Sequence, residues 1–156
     1  MSKNARTHVT FVTELFNTEE VKDYFINPSC FGEDCAQWMI DRLASQGIEK
    51  VDGKPAQEDW GWLFSVSMEL RDFIVGVGLY EDEDSPNTWL VFIKSQWGSL
   101  NRKLFGQSDD AELLVVCEAV DRALKSASEI SDVRWHIEED WMKGENGNWR
   151  SAPNEV

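Results

Sequence analysis

Glu58-Asp59-Trp60-Gly61-Trp62-Leu63-Phe64-Ser65-Val66-Ser67-Met68 is the stretch on which the fold turns. Trp60, Trp62, Phe64, Val66 and Met68 recur at every second position. Gly61, Ser65 and Ser67 fall between them, with Leu63 the one large apolar exception. Side chains alternate across a strand, so this pattern predicts a β-strand with one buried face. The two carboxylates ahead of it are expected at the rim of that face.

Strands are expected on either side. Phe73–Tyr80 places Phe73, Val75, Val77 and Leu79 on one face. On its other face Gly76 and Gly78 leave room for a bulky neighbour. Thr88–Lys94 is apolar on both faces, which predicts a central, doubly covered strand. The acidic run Glu81-Asp82-Glu83-Asp84 and Pro86-Asn87 make the turn between them. Its acids are hard cation ligands, but it lacks the spacing of a calcium loop. Upstream, His8–Phe16 predicts a first strand, with Val9, Phe11, Thr13 and Leu15 sharing a face. Downstream, Asp132–Ile137 predicts the last, with Val133, Trp135 and Ile137 together and His136 opposite.

Three helices are expected between these strands. Asn17 with Glu20 reads as a capping signal for a short helix with Val21, Tyr24 and Phe25 inward, ended before Pro28. Gly32-Glu33-Asp34 opens a longer one with Ala36, Met39, Ile40 and Leu43 at helical spacing, closed by Gly47. Asp109 with Glu112 opens the last, with Leu113, Val116, Cys117, Val120 and Leu124 as its core stripe. Trp97 to Gly106 is a connector of about one helical turn. The predicted order is β-α-α-β-β-β-α-β. This is an α+β domain over residues 1–140, with a mainly antiparallel sheet and helices on one face. Residues 141–156, with Gly144, Gly147 and Pro153, are expected to form a flexible acidic tail carrying Trp141 and Trp149.

The 156 residues carry a net charge of −14, with 6 bases and 9 acids over residues 1–57 and 9 and 20 over residues 58–156. Such a surface repels nucleic acid and anionic lipid. It suits solubility or a basic protein partner. No apolar run is long enough to span a membrane, and the N-terminus lacks a signal peptide's apolar core. Three cysteines give no disulfide framework, so the cytoplasm is the expected compartment.

Candidate binding residues are Glu58, Asp59, Trp60, Trp62, Trp135 and His136. A carboxylate beside an indole can have its pKa raised or receive a basic ligand, while a bland reading makes Asp59 a turn cap. His136 is a titratable group, or a half-exposed histidine paired with an acid. Cys30 and Cys35 have a spacing that zinc tolerates, but no third and fourth ligand follow, and buried thiols are the expectation. No metal, cofactor or catalytic set is assigned.

Glu58-Asp-Trp-Gly-Trp62, Val75-Gly-Val-Gly78, Trp89 and Val133-Arg-Trp135 together resemble a group of small bacterial proteins with no assigned activity, over residues 9–137. The resemblance implies a bacterial cytosolic domain and transfers no catalytic residue. Three functions are compatible with these features. They are an acidic protein-binding or inhibitor (immunity-type) module, a small-ligand binder or enzyme with a pocket near Glu58–Trp62, and a structural or self-associating domain.

Overall fold

The structure, a computed structural model, describes residues 5–81, 83–96 and 109–155, without the side chains of residues 109 and 110. Seven strands form one sheet: β1 (Arg6–Val12), β2 (Lys50–Val51), β3 (Ala56–Glu58), β4 (Gly61–Ser67), β5 (Asp72–Leu79), β6 (Thr88–Ser95) and β7 (Ser131–Ile137). The helices are α1 (Glu33–Ser45), α2 (Asp109–Ser126) and α3 (Glu138–Met142). The strand order is β2-β4-β5-β6-β1-β7, with β3 also paired to β4, and every pairing is antiparallel. The α+β architecture with an antiparallel sheet is therefore as the sequence predicts.

The opening stretch forms β4, and period two decides its faces. Trp62, Phe64 and Val66 are buried beneath the helices beside Phe73, Val75 and Val77 of β5 and Trp89, Val91 and Ile93 of β6. Above them lie Ala36, Met39, Ile40 and Leu43 of α1 and Val116, Cys117, Val120 and Leu124 of α2. Burying side chains of this size contributes roughly 1.5–3 kcal/mol each, which makes this layer the main source of stability. β6 is central, as its two apolar faces predict. On its second face, among the described residues, Phe92 lies under Trp60 and beside His8. Gly76 makes room for it, since a Cβ there would come within 2.3 Å of the Phe92 ring.

Four local expectations need correction. β1 ends at Val12; Thr13 turns to donate to the Glu129 carbonyl, Leu15 is exposed, and Phe16 folds back edge-on to Trp89. The helix expected after Asn17 does not form. Asn17 Oδ1 accepts from the Glu19 and Glu20 amides as a cap would, but the chain runs on as turns with Val21 and Tyr24 exposed. Before Pro28 there is room for only two or three turns, too short to repay nucleation. Glu112 accepts from the Leu70 amide at 2.9 Å, so its carboxylate serves the β4–β5 turn. The tail is tied down: Trp135 and Arg150 exchange both backbone hydrogen bonds, at 2.8 and 2.9 Å, and Pro153 is buried. The connector predicted at 97–106 lies outside the described residues.

Arg6 locks the two ends together. Its guanidinium is 2 % exposed and donates to the carbonyls of Trp135, Asn148 and Glu155 at 2.7–3.1 Å. A buried charge needs such partners, and here the tail supplies two of the three.

Candidate functional site

The predicted binding residues do not gather in one place. Glu58 pairs with Gly61 across the β3–β4 hairpin, and its side chain and that of Asp59 are exposed. Trp60 precedes β4 instead of belonging to it. Its ring is 48 % exposed and lies against Phe92 on the face opposite α1 and α2, not on the inner face expected from the alternation. Next to it, at Gly61, β5 passes so close that a Cβ would lie 2.5 Å from the Val77 carbonyl oxygen. Trp62 is in the core, its Nε1–H donating to the Cys30 carbonyl at 3.0 Å. Trp135 is fully buried under α2, its Nε1–H donating to Asp121 Oδ1 at 2.8 Å. Trp62 and Trp135 are thus core residues. Trp60 and His136 share the opposite face.

That face carries a continuous run of rings. Trp60 meets Phe92 at 5.2 Å, Phe92 stacks on His8 at 5.5 Å, His8 meets Trp141 at 6.2 Å, and Trp141 meets Tyr80 at 4.9 Å. His136 joins it at 5.0 Å from Trp141. The sequence hides this run because it draws on β1, β6, β7 and α3 together. His8 and His136 are register partners on β1 and β7, each 4 % exposed. Burial lowers both pKa values to about 4. Glu138 partly opposes the shift at His8. His8, Arg134 and Arg6 add to it at His136. Both rings are therefore neutral near pH 7. His136 Nε2 lies 3.0 Å from Thr10 Oγ1, and His8 Nδ1 lies 3.1 Å from Thr7 Oγ1.

Beside His136 the sheet opens into a cleft of about 240 Å³. Its walls come from Thr10 of β1, Arg134 and His136 of β7, Tyr80, Thr88 at the start of β6, and Trp141 of α3. Of these, the sequence reading singled out only His136 as a site residue.

A second feature is a rim at one end of the sheet. The loop before α1 is hydrogen-bonded to the β3–β4 hairpin: the Ile26 amide donates to Gln57 Oε1, and Asn27 Nδ2 donates to the Asp59 carbonyl at 2.9 Å. Of the nine exposed large hydrophobic side chains described, Leu15, Val21, Tyr24 and Ile26 are in this loop and Trp60 is at the hairpin, so more than half lie on these two segments. Ile26 is 80 % exposed. Acids dominate around them: residues 14–34 hold six acids and one base, and Glu58 and Asp59 adjoin.

The cysteines are poor nucleophiles. Burial raises the pKa of Cys30, and raises those of Cys35 and Cys117 much further. Cys30 Sγ donates to the Asp59 carbonyl at 3.2 Å, while Cys35 is buried in α1. Among the described residues, no group of three His, Cys, Asp or Glu side chains is placed to hold a metal ion. No helix among them is long and apolar enough to cross a membrane.

Compared with protein-family models, curated proteins and solved structures, the chain has no match.

Proposed function

We propose that the protein is a binding module that takes a cationic protein partner on the rim formed by the 15–31 loop and the β3–β4 hairpin, in the manner of an inhibitor or immunity-type protein. One observation carries the reading: exposed Tyr24, Ile26 and Trp60 stand among Glu19, Glu20, Asp23, Glu58 and Asp59 on two mutually bonded segments. Large apolar side chains left in solvent together mark interaction surfaces. Aromatic anchors inside a charged surround supply the contact energy, and the charge steers the approach. The net charge of −14 selects a basic partner.

The test is co-purification with tagged wild-type chain and with an I26D/W60A variant, at low and at high salt. The expected result is one basic protein, retained stoichiometrically at low salt, weakened at high salt and lost with the variant. Absence of a stoichiometric partner at low salt sinks the reading, and so does a partner that the variant retains.

A further inference from the structure

The cleft beside His136 is bordered by a distortion of the β1–β7 pairing. On β1, Thr10 and Val12 pair with Arg134 and Ser131 of β7, so β7 carries one residue more than β1 over this span. Such a bulge redirects a side chain and is enriched beside functional sites. Within it, Asp132 adopts φ 54°, a left-handed conformation that costs a non-glycine residue on the order of 1 kcal/mol. Asn87, next to Thr88 on the opposite lip, is the other described non-glycine residue of this kind, at φ 55°.

The distortion fixes Arg134. Its Nε donates to Asp132 Oδ1 at 2.7 Å, and its guanidinium lies over the Trp149 ring at 4.6 Å from the centroid. One edge and one face of the planar group are thereby held. The two Nη nitrogens donate to none of the described residues. An ion pair as exposed as Arg134–Asp132 contributes only about 0–1 kcal/mol, so stability alone does not account for the strained backbone that positions it. A guanidinium oriented through Nε and stacked on an indole is prepared to bind a planar anion through its Nη edge.

We propose that this cleft binds a small monocarboxylate with an aromatic or apolar body, its carboxylate on the Arg134 Nη edge and its body against Tyr80 and Trp141. At about 240 Å³ the space is below the usual range for drug-sized ligands, roughly 300–1,000 Å³, and suits a single ring. Thr10 and Thr88 also line its wall, their hydroxyls bonded to His136 Nε2 and the Pro86 carbonyl. The surrounding negative charge, with Asp132 beside the receptor, disfavours a phosphate dianion more than a monoanion. This site is separate from the rim and does not depend on the partner proposed there.

The experiment uses benzoate as the probe and benzamide as its uncharged isostere. The indole N–H resonance of Trp141, assigned by its absence in W141F, is followed during titration of the full chain. Benzoate is expected to shift it saturably and to bind at least about ten-fold more tightly than benzamide, a 1.4 kcal/mol preference. R134Q, checked for an unchanged melting temperature, is expected to erase that preference, and R134K to restore part of it. Equal binding of the two probes, or no saturable shift with benzoate, overturns the proposal, as does a benzoate affinity that a folded R134Q retains. Should R134Q fail to fold, the comparison of the two probes on the wild-type chain still decides the matter.

Discussion

At the scale of single residues, Gly61 and the two histidines lead to the sharpest expectations. Gly61 is where β5 comes closest, with the Val77 carbonyl oxygen 2.5 Å from a Cβ at that position. Backbone cannot yield as a side-chain tip can, so G61A is expected to cost about 1–3 kcal/mol through strain. At Gly78 the nearest atom to a Cβ is 3.6 Å away, so G78A is expected to be neutral, or to stabilise by up to about 1 kcal/mol through a less flexible unfolded chain. Chemical denaturation of the pair checks both. For His8 and His136, burial holds the folded pKa at about 4 against an ordinary value of 6.5. As pH falls below 6.5 the unfolded chain takes up protons that the folded one refuses. Stability is therefore fully present above that value and is lost as pH drops toward 4, at up to about 1.4 kcal/mol per pH unit for each histidine. Denaturation midpoints from pH 7 to 5 are expected to fall for the wild type and to flatten in an H8N/H136N variant. A wild-type midpoint that does not change would mean that the histidines are not buried as described.

At the scale of elements, the tail acts as an added edge to the sheet. Arg150 completes a bridge to Trp135 on the outer side of β7, and Asn148 and Glu155 supply carbonyls to Arg6. Truncation after Gly144 leaves that guanidinium with one of its three partners and bares the β7 edge. The expected cost is about 3 kcal/mol, since hydrogen bonds to a charged group contribute roughly 1.5–3 kcal/mol each and an unpartnered buried charge is more costly still. Hydrogen exchange at the Trp135 amide should accelerate with the truncation, and melting should shift down. A truncated chain as stable as the full one would reduce the tail to a passive appendage. The segment after Asn17 shows the reverse case. Its capping residue works locally, but too few residues follow before Pro28 for a helix, and Val21, Tyr24 and Ile26 are left facing water while Phe25 packs against Trp62.

At the scale of the whole molecule, one face of the sheet is sealed by α1 and α2, while the other carries, among the described residues, α3 and the aromatic run. The same net charge of −14 that would draw the proposed basic partner also repels itself, so added salt should act in opposite directions on the two properties. The melting temperature of the free chain is expected to rise with ionic strength as self-repulsion is screened, while association with the partner slows. Thermal melts and association rates over one salt series check both signs. A partner whose association is indifferent to salt would remove the electrostatic part of the reading.

The chain's own pattern was enough to specify the strands from β4 to β7, α1, the core stripe of α2 and the α+β architecture. Period-two and helical spacing are local properties, and burial of one face follows from them directly. Even the space left by Gly76 was readable, although the ring that fills it was not. Folding in three dimensions decided the rest, because the remaining features depend on partners distant in sequence. Trp60 lies against Phe92 of β6 on the other face, a partner 32 positions away that the alternation does not reveal. The inward face of Trp62 follows from the alternation, but the acceptors of the Trp62 and Trp135 N–H groups, the Cys30 carbonyl and Asp121 of α2, do not. The short strands β2 and β3 are too brief to leave a periodic signal. Arg134 could be recognised as a candidate receptor only once the bulge, Asp132 and Trp149 had been brought around it, since no spacing along the chain encodes that convergence.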